Sequence, residues 1–255
     1  MSMTRRQTFS KAKSKLIAAG LYRPARLLAD HVLYPARSRD RRKRQNFYRQ
    51  LIAPGDLCFD VGANIGDYTE TLVSLGARVV AIEPQPACID ELRARFAGND
   101  RVTVVPVALG ATEGAARLFL REWTGLASLH PDWEGRGHLS SVPVPISTID
   151  RLIATYGRPK YIKIDVEGYE LPVISGLHSK IELISFEYHL RKEDCAAKLR
   201  IIAYIKQFGE LQIAILGDGA ATWTIPWSKP DDLFEVFPDR MPSTADMGDI
   251  FCKYI

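Results

Sequence analysis

Asp60-Val61-Gly62-Ala63-Asn64-Ile65-Gly66 is a turn nearly free of bulky side chains, and it leaves the apolar run Leu57-Cys58-Phe59 for a helix-like segment. Gly62 and Gly66 tolerate positive φ and lack the Cβ that would hold a ligand away, so the turn suits a backbone wrapped around a bound cofactor. Seventeen residues beyond Gly66, Glu83 ends the apolar run Val79-Val80-Ala81-Ile82, where a carboxylate is placed to grip a ribose. Further along, Asp165 and Glu167 close the run Tyr161-Ile162-Lys163-Ile164, and His189 follows Ser185-Phe186-Glu187-Tyr188. Such groups at strand ends can act as general bases. Asp165 is the first choice of base and His189 the second, with Glu187 to orient the imidazole. Asp165 and Glu167 are also hard oxygen ligands for a divalent cation. No convincing third ligand stands out, so no metal is expected.

The elements that must position these residues are legible as an alternation. Strand candidates at 57–61, 78–83, 102–107, 160–165 and 181–188 are separated by helix candidates near 66–75, 86–97, 147–155 and 170–177. Strands alternating with helices predict an α/β fold with a parallel sheet covered on both faces. The Val- and Ile-rich runs lack strict alternation, as strands buried on both sides do. Between 110 and 146 the rhythm breaks, and Ala115 to Leu120 and Val142 to Ile146 read as a hairpin insertion beside the site. Within it Trp123, Thr124, Gly125, Ser128, His130 and Trp133 suit either stacking on a sugar ring or covering a sheet edge. After a helix near 193–207 come strands at 211–216 and 249–254, with a small one at 222–225.

Composition is that of an ordinary globular protein, 46% hydrophobic and 25% charged over 255 residues, which excludes disordered, collagen-like and coiled-coil classes. No apolar run approaches the roughly 18 residues that span a bilayer. Leu16-Ile17-Ala18-Ala19 after Arg5, Arg6, Lys11, Lys13 and Lys15 is too short for a signal-peptide core, so a cytoplasmic location is expected. Cys58, Cys88, Cys195 and Cys252 are scattered and read as reduced, structural thiols. Net charge is +4, but residues 1–50 hold 14 Lys and Arg against Asp30 and Asp40, +12, leaving −8 on residues 51–255. The chain thus divides into a basic helical extension over 1–50, broken at Pro24 and Pro35, and a domain over 51–255. The extension reads either as a docking arm for nucleic acid, an anionic membrane surface or an acidic glycan, or as a solvated face whose Leu27, Leu28, Val32 and Tyr34 pack on the domain.

A glycine turn with an acid ending the next strand serves a dinucleotide or S-adenosylmethionine. The dinucleotide fingerprint wants three glycines around a pyrophosphate; here Asn64 stands in the middle and Asp60 leads, an acid suited to the ammonium of a methionine moiety. The balance favours S-adenosylmethionine. Three stretches, Phe59 to Gly66, Val79 to Pro84 and Tyr161 to Glu170, make the chain similar to the FkbM family of S-adenosylmethionine-dependent methyltransferases, most distinctively through Lys163-Ile164-Asp165-Val166-Glu167-Gly168. The resemblance spans about residues 51–255 and leaves the basic extension outside.

It implies a Rossmann-like class I fold with a mostly parallel seven-stranded sheet. It further implies that Asp60, Gly62, Asn64 and Gly66 line the methionine portion, that Glu83 accepts from both ribose hydroxyls, and that Val107-Ala108-Leu109 meets the adenine. Asp165 and Glu167 would face the transferred methyl group. The implied acceptor is a hydroxyl of a sugar, glycan or secondary metabolite. The competing expectations are an RNA methyltransferase gripping phosphates through Arg41, Arg42, Lys43 and Arg44, and a non-catalytic cofactor-binding partner of other subunits.

Overall fold

The computed structural model of the protein describes residues 16, 21–33, 35–121, 127–129, 140–189, 192–231 and 247–255. Tyr34, the basic residues before Leu16, and Trp123, Thr124, Gly125, His130 and Trp133 of the insertion lie outside the described residues.

The chain enters through two helices, α1 (Tyr22–Leu33) and α2 (Pro35–Tyr48). Pro24 does not break α1 as the sequence suggested. It sits in the first turn, where a missing N–H costs nothing because that donor has no partner inside the helix. Pro35 opens α2 for the same reason. The strands and helices of the domain follow: β1 (Leu57–Val61), α3 (Asp67–Ser74), β2 (Arg78–Ile82), α4 (Pro86–Arg95), β3 (Val102–Val105), β4 (Ala108–Leu109), β5 (Gly114–Leu120), β6 (Ser140–Ser147), α5 (Ile149–Tyr156), β7 (Tyr161–Ile164), α6 (Glu170–Ile174), β8 (Leu183–His189), α7 (Lys192–Lys206), β9 (Leu211–Gly217), β10 (Ile225–Ser228) and β11 (Met247–Tyr254).

Their sheet runs β10-β9-β11-β8-β7-β1-β2-β3. Five neighbouring strands, β3 to β8, pair in parallel, and β11 inserts antiparallel between β8 and β9. The order reverses at β1, so the loops after β1 and β7 leave a crevice at the carboxyl edge, where open α/β sheets bind ligands. This is the Rossmann-like class I methyltransferase architecture, with eight strands in place of the expected seven because β10 adds to the outer edge of β9. β3 is shorter than expected: the chain leaves it after Val105, and Ala108–Leu109 pairs instead with β6 in a second sheet, β4-β6-β5. That sheet is the predicted hairpin, paired from Gly114↔Ile146 to Leu120↔Ser140.

The central strands are buried nearly end to end, as their unbroken apolar runs require. Phe59, Val80, Ile82, Ile162, Ile164, Ile184 and Phe186 anchor the main core. The extension is not a loose arm at its inner end: Phe47 and Tyr48 pack into a cluster with Leu72, Tyr161 and Phe251, and the Tyr48 hydroxyl meets the Tyr161 hydroxyl at 3.1 Å. Its outer end departs from expectation, since Leu28 and Val32 are exposed while Leu27 is half-buried. None of the four cysteines forms a disulfide, and burial pushes the Cys58 thiol up to about 12, so it behaves as a small hydrophobe. Among the described residues no helix is long and apolar enough to cross a membrane.

Candidate active site

The glycine turn leaves β1 with Gly62 at φ +80°, and its N–H, with that of Ala63, donates to the Ile82 carbonyl. A Cβ on Gly62 would lie 1.7 Å from the Asp165 carbonyl oxygen. Glycine is therefore required where the turn crosses the end of β7, and this crossing brings two distant motifs together. Asn64 follows in the left-handed region at φ 47°, which Asn tolerates. Its backbone N–H donates to Glu83 Oε2 at 2.8 Å, and the Gln85 N–H donates to Glu83 Oε1 at 2.7 Å. Each Glu83 oxygen keeps a further lone pair for a ribose hydroxyl. Burial pushes the Glu83 carboxyl up to about 7 despite these two donors.

Gly62, Asn64, Glu83, Ala108, Asp165 and Glu167 line a cavity of about 130 Å³, roofed by Leu118 of β5. Two expected lining residues stand behind it. Asp60 is buried under the turn and accepts from Thr69 Oγ1 at 2.6 Å; burial raises its pKa, opposed by Lys163. Gly66, at φ +86°, caps α3, and a Cβ there would meet Phe96 and Leu92 at 2.7 and 2.8 Å. Its glycine serves packing. Val107 packs against the main core beside Ala108 instead of lining the cavity.

Asp165 also faces a second cavity, about 190 Å³, with Glu187, Asp249, Tyr68, Arg44 and Gly217 in its walls. The ammonium of Lys163 holds Asp165 Oδ2 at 2.7 Å and sits 4.1 Å from the centre of the Tyr68 ring. Burial works against that ammonium, but Asp165, Asp249, Tyr68 and Asp60 outweigh it, so the Lys163 pKa is raised well above its ordinary value. Lys163 thus pairs with an acid of the site. In the same cavity burial, together with the charge of Asp165, raises Glu187 to about 7 and Asp249 to about 6.

His189 lies at the far end of β8, with Nε2 3.3 Å from Glu187 Oε2. Glu187 lines the second cavity, whereas His189 is not among the residues facing either one. Glu167 has φ 52°, and its carbonyl accepts from Ser128 Oγ at 2.7 Å, tying the turn to the insertion. The ligand atoms of Glu167, Glu187 and His189 lie within 4.8 Å of one another. Glu187 and His189 share one face of β8, the neighbour of β7, and so meet Glu167 but not Asp165, a grouping that could hold a cation and that the sequence did not reveal.

Sequence reasoning missed the residues that hold this geometry. Glu170 Oε1 accepts from the N–H groups of Val166 and Gly168, while Oε2 meets Lys198 Nζ at 2.7 Å in a fully buried pair. This clamps the Asp165–Gly168 turn from below. Arg95, also buried, donates to the Ile65 carbonyl and to Asp67, fixing the end of the glycine turn. The signal in sequence was a Lys or Arg inside an apolar helix face, which burial permits only when paired.

Comparisons with known proteins agree with this architecture. Residues 60–211 match the methyltransferase FkbM domain. The hexuronic acid methyltransferase AglP of Haloferax volcanii is 29% identical over 183 residues, covering 68% of this chain and 73% of that protein. A chloroplastic ribosomal RNA small subunit methyltransferase of Arabidopsis thaliana is 39% identical over 54 residues, 21% of this chain and 16% of that protein. Among solved structures, Aeropyrum pernix fibrillarin with bound S-adenosyl-L-methionine aligns at TM-score 0.45 and 9% identity, over 78% of this chain and 67% of that one. An rRNA methylase of Streptococcus thermophilus aligns at TM-score 0.45 and 9% identity, over 83% and 93%. With the glycine turn and the buried Glu83 carboxyl lining one cavity, the chain belongs to the methyltransferases of the FkbM domain family, and its methyl donor is S-adenosylmethionine.

Proposed function

We propose that the protein methylates a hydroxyl oxygen of a small-molecule or glycan acceptor, a sugar foremost, with Asp165 as the base. The observation that carries this reading is that Asp165 lines both cavities, so one carboxylate adjoins the donor on one side and an acceptor on the other. Gly62, Asn64 and Glu83 would hold the donor, with Ala108 against its adenine. The sulfonium supplies an activated methyl group, and what is left to the chain is alignment and the removal of one proton. Lys163 donates to Asp165 Oδ2, so Oδ1 would be the oxygen that takes the acceptor proton. Glu187, near pKa 7, is the next proton acceptor, and His189 positions it. The hexuronic acid named for the relative from Haloferax volcanii supports a sugar acceptor.

The reading is tested with Asp165→Asn. Binding of S-adenosylhomocysteine should persist while kcat falls roughly 10²- to 10⁴-fold. Full turnover in that variant would remove Asp165 as base.

A further inference from the structure

Helix α1 is inside out. Its charged face is the one docked on the domain: Arg23 forks onto both oxygens of buried Glu70 at 2.6 and 3.0 Å, and Tyr22 and Arg26 both reach Glu91 of α4. Its apolar face points away, with Leu21, Leu28 and Val32 exposed by 53%, 64% and 64%. At 100° per residue these three lie within about 40° of one another and about 150° from the centre of the docked arc, so they form one stripe. A helix on a globular domain ordinarily does the reverse, and a continuous exposed stripe marks a contact surface.

The charge around the stripe selects what covers it. Directly after α1, α2 exposes Arg39, Arg42 and Lys43 against the single exposed acid Asp40, and Arg49 just beyond it is exposed as well. Residues 1–50 together carry +12, from 14 basic and two acidic residues. A second copy would bring this same positive field against itself. An exposed apolar stripe followed directly in sequence by an arginine-rich helix is instead the composition of a segment lying in the headgroup layer of an anionic bilayer.

We propose that α1 and α2 dock the protein on an anionic lipid surface, with Leu21, Leu28 and Val32 inserted and the arginines of α2 on the headgroups. Because α2 also contributes Arg44 to the wall of the second cavity, docking brings that cavity's rim to the bilayer. The proposal rests on the extension alone and is independent of the acceptor.

The test is co-sedimentation of the full chain with phosphatidylcholine vesicles and with vesicles holding about 30 mol % phosphatidylglycerol, at about 0.1 M and about 0.5 M salt. Binding is expected to the anionic vesicles at low salt, with a roughly tenfold loss in Leu28→Ser/Val32→Ser and a similar loss in Arg39→Gln/Arg42→Gln. These side chains are exposed, so helix content and the melting shift on S-adenosylhomocysteine should match the parent. Three outcomes overturn the proposal: no binding to anionic vesicles, equal binding by Leu28→Ser/Val32→Ser, or a dimer in light scattering that this variant dissolves.

Discussion

Glu83→Gln isolates the most deeply buried carboxyl lining the first cavity. The Glu83 carboxyl is pushed from 4.5 to about 7 by burial, and the Asn64 and Gln85 N–H groups offset only part of that cost. A pKa raised on folding means that the folded protein holds the proton more tightly. The associated stability is present at low pH and is lost as pH rises toward and past 7. Between pH 5 and pH 8 this single group removes roughly 2–3 kcal/mol, from 1.36 kcal/mol per unit. Glutamine cannot ionise, so this pH dependence disappears in the variant. Losing one acceptor oxygen also leaves Asn64 N or Gln85 N without its partner, a cost of about 1–3 kcal/mol at every pH. The difference between parent and variant should therefore change by roughly 2–3 kcal/mol across that window, whatever its constant part. Urea unfolding at the two pH values measures it. Parallel profiles for parent and variant would refute the buried-carboxylate argument. The variant should also lose most of the melting shift on S-adenosylhomocysteine, since a ribose hydroxyl loses its acceptor.

Gly62→Ala should destabilise by at least about 3 kcal/mol in thermal unfolding, because its Cβ would collide with the Asp165 carbonyl in a left-handed backbone. Lys163→Met leaves Asp165 and Asp249 without their common cation, so the acidic limb of the kcat profile should move to higher pH; an unmoved limb would show that the pair does not govern turnover. Lys198→Met strands Glu170 beneath the Asp165–Gly168 turn and should cost about 3–5 kcal/mol, read by chemical denaturation. Turnover should survive treatment with a chelator; its loss, with recovery on added magnesium or manganese, would assign the Glu167, Glu187 and His189 cluster to a metal instead of to proton transfer.

Much of this was legible because buried parallel strands advertise themselves. Five apolar runs, punctuated by Gly62 and by acids at 83 and 165, gave order and edges, since only a covered strand tolerates Val and Ile on both faces. The spatial pairings were not legible. Nothing local links Glu170 to Lys198 or Lys163 to Tyr68, because partners across a fold leave no spacing signal. Likewise Asp60 and Gly66 looked like ligand contacts, yet they serve the turn from behind; the same residue types satisfy a hydrogen bond or a packing limit. In α1 the apolar period was visible, but periodicity reports that a stripe exists and is silent on which way it faces. The ion pairs of Arg23 and Arg26 with Glu70 and Glu91 decided that.

The central claim, donor and hydroxyl acceptor meeting at Asp165, is tested most directly by incubating the protein and Asp165→Asn with methyl-labelled S-adenosylmethionine and separate glycan, small-molecule and RNA fractions. The account predicts label in the glycan or small-molecule fraction as an alkali-stable ether, with roughly 10²-fold less from Asp165→Asn. Label in RNA, or equal label from the two proteins, would contradict it.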